Sequence, residues 1–199
     1  MPEMKMQTQR QKQKEATRKH ILETAMVQFA EKGLTTTPTA DIAREAKVSH
    51  GTIFVHFPTQ EELLTAVIDE FGSRIGLRLH QLADVRGTLE EILRAHLTGL
   101  EEFEAFYTKL VIERRLLPES ARNTYVMIQS TISFHIGMAA EREMERGTLR
   151  RIPVHMLYNT WLGMIHYYLA NGDLFAPHDS VLKRHGQELL QNYIKLITL

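Results

Sequence analysis

The sequence predicts an all-α protein. Apolar residues recur at spacings of three and four along most of the 199 residues, helix-capping signatures punctuate them, and no run of strict alternation is long enough for a strand. The length suits one medium domain, or a small head joined to a larger body.

Taken in order, residues 1–15 are polar and read as a flexible basic tail. From Arg18 onward, Ile21, Leu22, Ala25, Met26, Phe29 and Ala30 describe an amphipathic helix that Gly33 ends. Thr37 followed by Pro38 reads as the N-cap and first residue of a short helix through Ile42, Ala43 and Ala46. After a tight turn at Lys47 and Val48, Ser49 caps a third helix over about residues 49–57. Pro58 stops it by driving Phe57 out of helical backbone. Thr59-Gln60-Glu61-Glu62 is a capping box, opening a helix that carries Leu63, Leu64, Val67, Ile68 and Phe71. Short helices separated by a turn of a few residues are helix-turn-helix grammar, so residues 16–71 form the expected head and 72–199 the body.

The body reads as helices throughout. Thr88 opens one through Leu100, another covers Phe103 to Leu116, and Pro118 begins a long stretch that Gly147 stops. Pro153 begins a helix ending at Asn171 and Gly172, and Pro177 and Ser180 precede the last one.

Lys and Arg number 24, equal to Asp and Glu, so whole-chain charge points to no partner. Its distribution says more. Residues 1–60 carry nine bases against six acids and the remainder is net negative by three, which places a basic head on a mildly acidic body and suits a polyanion at one end. There is no cysteine, which excludes disulfides, thiolate metal sites and cysteine nucleophiles. No apolar stretch is long enough to span a bilayer, and a cytoplasmic protein is the expectation.

The third helix concentrates the functional signal. Ile53 and Phe57, four apart, share the face that docks on Ile42, Ala46 and Phe29. Thr52 and His56 share a neighbouring face that the core does not need. Ser49, His50, Gly51 and Thr52 put small donors and backbone N–H groups on the first turn, which suits phosphates and base edges in a DNA major groove. Lys47 and the basic tail would add sequence-independent attraction. Plainer alternatives stand beside these: Ser49 also serves as a cap, His56 reads equally as a solvated residue, and the tail as an ordinary solvated run.

The segment from Ala40 to Leu64, ADIAREAKVSHGTIFVHFPTQEELL, with Phe29-Ala30-Glu31-Lys32-Gly33 and Thr36-Thr37 upstream, resembles the DNA-binding signature of the TetR (tetracycline-repressor) family. The likeness is close over residues 18–68 and topological beyond. It implies a DNA-binding set of Thr37, Lys47, Ser49, His50, Gly51, Thr52, Phe54, His56 and Gln60. Three positions depart from the family pattern. Lys47 stands where glycine is common, so the turn either strains it by about 1 kcal/mol or takes another geometry. Phe54 replaces a phosphate-contacting tyrosine, and Gln60 a phosphate-binding lysine. The implied consequence is altered or weaker phosphate anchoring, with Lys47, Thr52, His56 and the basic tail carrying more of it.

The resemblance further implies an effector-binding and dimerisation body, its last two long helices pairing with their mates in a homodimer, and a ligand-responsive regulator of the repressor kind. The apolar arcs of Leu157–Tyr168 and Leu182–Leu199 are wider than one monomer face needs, which agrees. Tyr125, His135, Trp161, Met164, His166 and Tyr167 are the expected lining of a cavity for a small apolar effector. The other histidines of the body, His80, His96, His155, His178 and His185, read as scattered and mostly in polar company, and no metal site or cofactor is expected. Nor does any nucleophile elbow, phosphate loop or carboxylate pair suggest an enzyme, and Glu101, Glu102 and Glu104 read as a solvated face. A helical dimer whose head has turned to binding protein is the second class left open. Salt-dependent, sequence-selective DNA affinity separates the two.

Overall fold

The computed structural model describes residues 9–82 and 87–199. Its helices are α1 (Gln9–Lys32), α2 (Thr39–Glu45), α3 (His50–His56), α4 (Gln60–Leu82), α5 (Leu89–Glu102), α6 (Glu104–Glu113), α7 (Glu119–Glu145), α8 (Val154–Ala170), α9 (Gly172–Phe175) and α10 (Val181–Ile197), with a 3-10 turn at Arg114–Leu116. One antiparallel bridge, Leu149 to Thr198, is the only β pairing among the described residues.

The helix-turn-helix of α2 and α3 packs beneath α1, which buries Ile21, Leu22, Ala25, Met26 and Phe29. Gly33, at φ +103°, ends α1 in a backbone that an L side chain rarely adopts. Two head expectations change. Residues 9–15 of the expected tail are helical, the opening turns of α1, because Arg10, Lys12 and Lys14 are good helix formers even where no face is buried; residues 1–8 lie outside the described residues. Thr37 is not the cap of α2. It is fully buried, and its hydroxyl donates to the Gly33 carbonyl at 2.6 Å, while Pro38 takes the flanking position.

α4 runs without a break through the expected boundary at residue 71. It buries Leu63, Leu64, Val67, Ile68 and Phe71, then Ile75 and Leu79 among the body helices. It lies parallel to α7: Thr65 Oγ1 is 3.1 Å from Ser120 Oγ, and Gly72 packs directly on Ile128. The capping box at Thr88 forms in full.

α10 turns Val181, Leu182, Leu189, Leu190, Tyr193 and Ile197 inward and leaves Lys183, Arg184, Gln187 and Glu188 outside. Part of the apolar arc of the last two helices stays exposed: Met156 and Tyr167 on α8 and Leu196 on α10. Glu104, expected to be solvated, accepts from the Ser180 hydroxyl and from the backbone N–H groups of Val181 and Leu182, fastening the start of α10 to α6.

His96 is the other correction: it is completely buried and not in polar company. Its Nδ1 accepts from Trp161 Nε1 at 3.2 Å, so the proton sits on Nε2, which is buried without a partner. Burial, with the nearby His166, pushes its pKa down to about 3; His166 falls to about 4 through burial, with Arg114 adding to it. Both stay neutral in the fold where an unfolded imidazole, near 6.5, has taken up a proton. Stability therefore falls as pH drops from about 6.5 toward 4, by on the order of 1 kcal/mol per pH unit for each histidine. Thermal unfolding followed by circular dichroism from pH 7.5 to 4.5 should show this fall, and His96→Leu should make it shallower. An identical slope in the variant would contradict this origin.

Candidate nucleic-acid interface and body clefts

Three backbone bonds close the turn between α2 and α3: Ala46 N–H to Ile42, Lys47 N–H to Arg44 and Val48 N–H to Ala43, at 2.9–3.1 Å. This closure places Lys47 at φ +54°, so the turn keeps the left-handed geometry usual for glycine and strains the lysine. Ser49 caps α3, accepting from Thr52 N–H at 3.1 Å, with the Thr52 hydroxyl 2.7 Å away. Ile53 and Phe57 are buried in the head core with Phe29 and Ile42.

That docking decides what α3 shows to solvent. Gly51 is exposed, Thr52 half-buried, Phe54 40% exposed and Val55 70% exposed. Val55 is not among the residues that the sequence pattern points to. Helical phase could have found it: it lies two residues beyond Ile53 and four beyond Gly51, near the centre of the face opposite the core. His50 sits 2.8 Å from the Thr39 hydroxyl through Nε2, and its ring meets the Phe54 ring edge-on at 4.9 Å. Gln60 does not simply await a phosphate. Its Nε2 donates to the Thr37 carbonyl at 3.2 Å, tying the start of α4 to the loop before α2.

His56 is half-buried at the junction of α3 with α1. Burial holds its pKa below the ordinary value, and the charges of Lys14 and Arg18 lower it further. The Arg18 guanidinium lies 4.6 Å from the centre of the Phe57 ring. Basic residues of α1 thus flank the C-terminal end of α3. Lys47, Ser49, His50, Gly51, Thr52, Phe54 and His56 gather on α3 and its turn, Gln60 stands beside them, and the Thr37 side chain is buried away.

One carboxylate ties the turn after α1 to the body. Glu113, the last residue of α6, accepts from the N–H groups of Leu34 and Thr35 and from the Thr35 hydroxyl at 2.9–3.0 Å. Removing it leaves the N–H of the buried Leu34 without its partner, at a cost of about 1–3 kcal/mol, while the exposed Thr35 donors turn to water. Glu113→Ala should lower the thermal midpoint and speed hydrogen exchange at Leu34 and Thr35, and Glu113→Gln should recover part of both. Unchanged exchange in Glu113→Ala would show that this contact does not hold the head.

The six expected cavity residues do not converge. Trp161 is fully buried against His96 and the Tyr193 ring. Met164 is half-buried against the core, and Tyr167 is 59% exposed beside Phe175. Tyr107, absent from that set, is the centre of a buried polar chain. Its hydroxyl lies 2.7 Å from His166 Nε2 and 3.5 Å from the Tyr125 hydroxyl, and Gln129 joins it to Tyr158. Burial raises the pKa of Tyr107, Tyr125 and Tyr158 alike, keeping the hydroxyls protonated.

Two clefts flank α7 instead of one cavity. Tyr125, Gln129 and Tyr158 open onto a cleft of about 540 Å³ between α7 and α8, which Arg114 and Glu141 also line. His135 lines a second, of about 640 Å³, between α7, α4 and α5. Phe134, 65% exposed, borders both. The single cavity expected from sequence fails because α7 shows chemistry on two opposite faces. Among the described residues no three His, Asp or Glu side chains are grouped to hold a metal ion.

Comparison with known proteins agrees with this geometry. Residues 21–67 match the family described as bacterial regulatory proteins, tetR family. Over 63 residues the chain is 43% identical to the HTH-type transcriptional repressor Rv3405c of Mycobacterium tuberculosis. That match covers 32% of this chain, which spans about a third, 34%, of the length of that relative. The HTH-type transcriptional repressor KstR2 of the same organism is 28% identical over 191 residues, 90% of each chain. In fold, the crystal structure of a TetR-family transcriptional regulator from Agrobacterium tumefaciens superimposes with a TM-score of 0.77 at 18% identity, covering 94% of this chain and all of that one. The match runs through the buried docking face and the turn of a complete helix-turn-helix, so residues 21–67 carry the DNA-binding segment that describes bacterial regulatory proteins of the tetR family.

Proposed function

We propose that the protein is a ligand-responsive transcriptional repressor of the cytosol that binds operator DNA as a homodimer and leaves it when a small molecule occupies the body. The observation that carries this reading is the exposed face of α3, where Gly51, Thr52 and Val55 stand clear of a core closed by Ile53 and Phe57. A seven-residue helix so placed fits a major groove. Val55 offers an apolar contact of the kind that selects a thymine methyl, and Thr52 a hydroxyl for a base edge. With Phe54 lacking a hydroxyl and Gln60 engaged with Thr37, phosphate anchoring passes to Lys47 and the basic residues of α1.

The exposed apolar side of α8, Met156 and Tyr167 around Gly163, supports pairing with a second copy, as reading two half-sites requires. The α4 helix supports the regulatory half. Its first residue is bonded into the head, and its middle forms one wall of the 640 Å³ cleft. A ligand that favours a wider α4/α7 spacing biases head placement by its differential affinity for the two states.

The competing class, a head adapted to bind protein, draws on the exposed Phe54 and Val55. Fluorescence anisotropy with DNA from the protein's own promoter, at about 50 and 200 mM salt, separates the two, since removing a phosphate contact lowers both affinity and salt dependence. Lys47→Gly should relieve about 1 kcal/mol of left-handed strain, partly offset by chain entropy, and so leave the protein at least as stable. The same change should weaken DNA binding and reduce the salt slope by about one. Val55→Ala should cost about 1 kcal/mol on the preferred sequence and less on others. No binding at micromolar protein in low salt would overturn the proposal.

A further inference from the structure

The cleft between α4 and α7 has a chemical direction. Because the helices run parallel, with residue 65 level with 120 and 72 with 128, the register carries His80 level with His135 two turns further on. Both histidines line the cleft, and Arg142, one α7 segment beyond, lines it at the same end while an Nη donates to the Gly87 carbonyl at 3.1 Å. Asp69 and Thr124 lie at the opposite end, nearer the head.

Between these ends the walls are apolar or small. Gly76 forms part of the α4 wall, and a Cβ built there would meet nothing within 4 Å, so the groove is open at its middle. Met127, Ile132, Leu79 and Ile92 supply the apolar surface. The run from Gly72 to His80 is about 12 Å at the helical rise. A volume of about 640 Å³ is that of a site for one small organic molecule.

We propose that this cleft binds an anionic amphipath, a carboxylate with an extended apolar tail, its head at His80, His135 and Arg142 and its tail directed toward Gly72. This rests on the reading that the α4/α7 cleft holds the effector, and it names the effector's class. Imidazole N–H groups and a guanidinium supply hydrogen-bond donors that match a carboxylate. Asp69 at the far end opposes the reversed orientation and repels a second anion, so the site discriminates as well as attracts.

The test is isothermal titration calorimetry of the full chain with decanoate, decanol and decyltrimethylammonium as probes. Decanoate should bind at least tenfold more tightly than decanol, and the cation more weakly than either. Arg142→Met and His135→Leu should each weaken decanoate about tenfold and leave decanol unchanged. Gly76→Leu, whose side chain enters the open middle, and Thr131→Phe from the α7 wall should each weaken both by tenfold or more. Equal binding of decanoate and decanol would overturn the ligand class, and decanoate binding indifferent to both blocking substitutions would overturn the site. Decanoate that binds as described and is lost in both blocked variants, yet leaves operator affinity unmoved, supports the ligand class and removes only the regulatory reading.

Discussion

A single apolar core runs from beneath α3 to the last helix of the body, and α4 is the element that makes it one. Leu63, Leu64 and Val67 close the head from one side, while Phe71, three residues after Ile68, packs its ring on Phe103, Phe106 and Tyr107. Burial of this kind is non-directional and close-packed, so a displaced α4 cannot leave the gap that a loosely tethered head would tolerate. The head is thus held by packing along α4, by the Glu113 carboxylate on the opposite side, and by Arg74, whose guanidinium reaches both Glu23 of α1 and Glu70 of its own helix. These contacts converge from α1, α4 and α6, which leaves α2 and α3 to be carried as a unit.

The body keeps its polar groups in two different regimes. His96 and Trp161 form an internal pair with one imidazole N–H unanswered, a standing penalty that deeper packing around Trp161 offsets. The chain from His166 through Tyr107 to Gln129 and Tyr158 is nearly satisfied from within and ends at the α7/α8 cleft. Fully bonded networks of this type fix one arrangement of the helices they join. By contrast, the α4/α7 cleft keeps its charged and imidazole groups at its ends, with Ser73 and Thr131 the polar residues of an otherwise apolar, open middle, so little internal hydrogen bonding opposes its change of width.

How much was legible in the sequence depended on whether the signal was local. Capping at Ser49 and Thr88, the stop at Gly33 and the phase of Ile53 against Phe57 are short-range chemistry, and each stands in the structure as expected. Thr37 misled because a threonine before proline looks the same whether its oxygen caps the next helix or donates back to the previous one; the Gly33 carbonyl, left bare by the positive φ, takes it. His96 misled although Ala95 and Leu97 flank it and Ile92 and Leu100 lie one turn away on its own helix, because its hydrogen-bond partner, Trp161, is 65 residues on. The pocket was least legible of all. Periodicity places Tyr125, His135 and Trp161 on helices but not on the same side of α7, and only tertiary packing decides that.

The unbroken course of α4 has a mechanical consequence. As a rod of 23 residues it is about 34 Å long, and the level of Gly76 lies about 24 Å from its first residue at the helical rise. With its N-terminal end pinned by Gln60, a sideways shift of about 1 Å at that level swings the rod through only about 2°. A swing so small moves a single head by little. On the proposed homodimeric reading, with a pair of heads facing one duplex, the two displacements add, so the symmetric assembly, and not the monomer, is where so slight a rotation becomes a misfit of spacing.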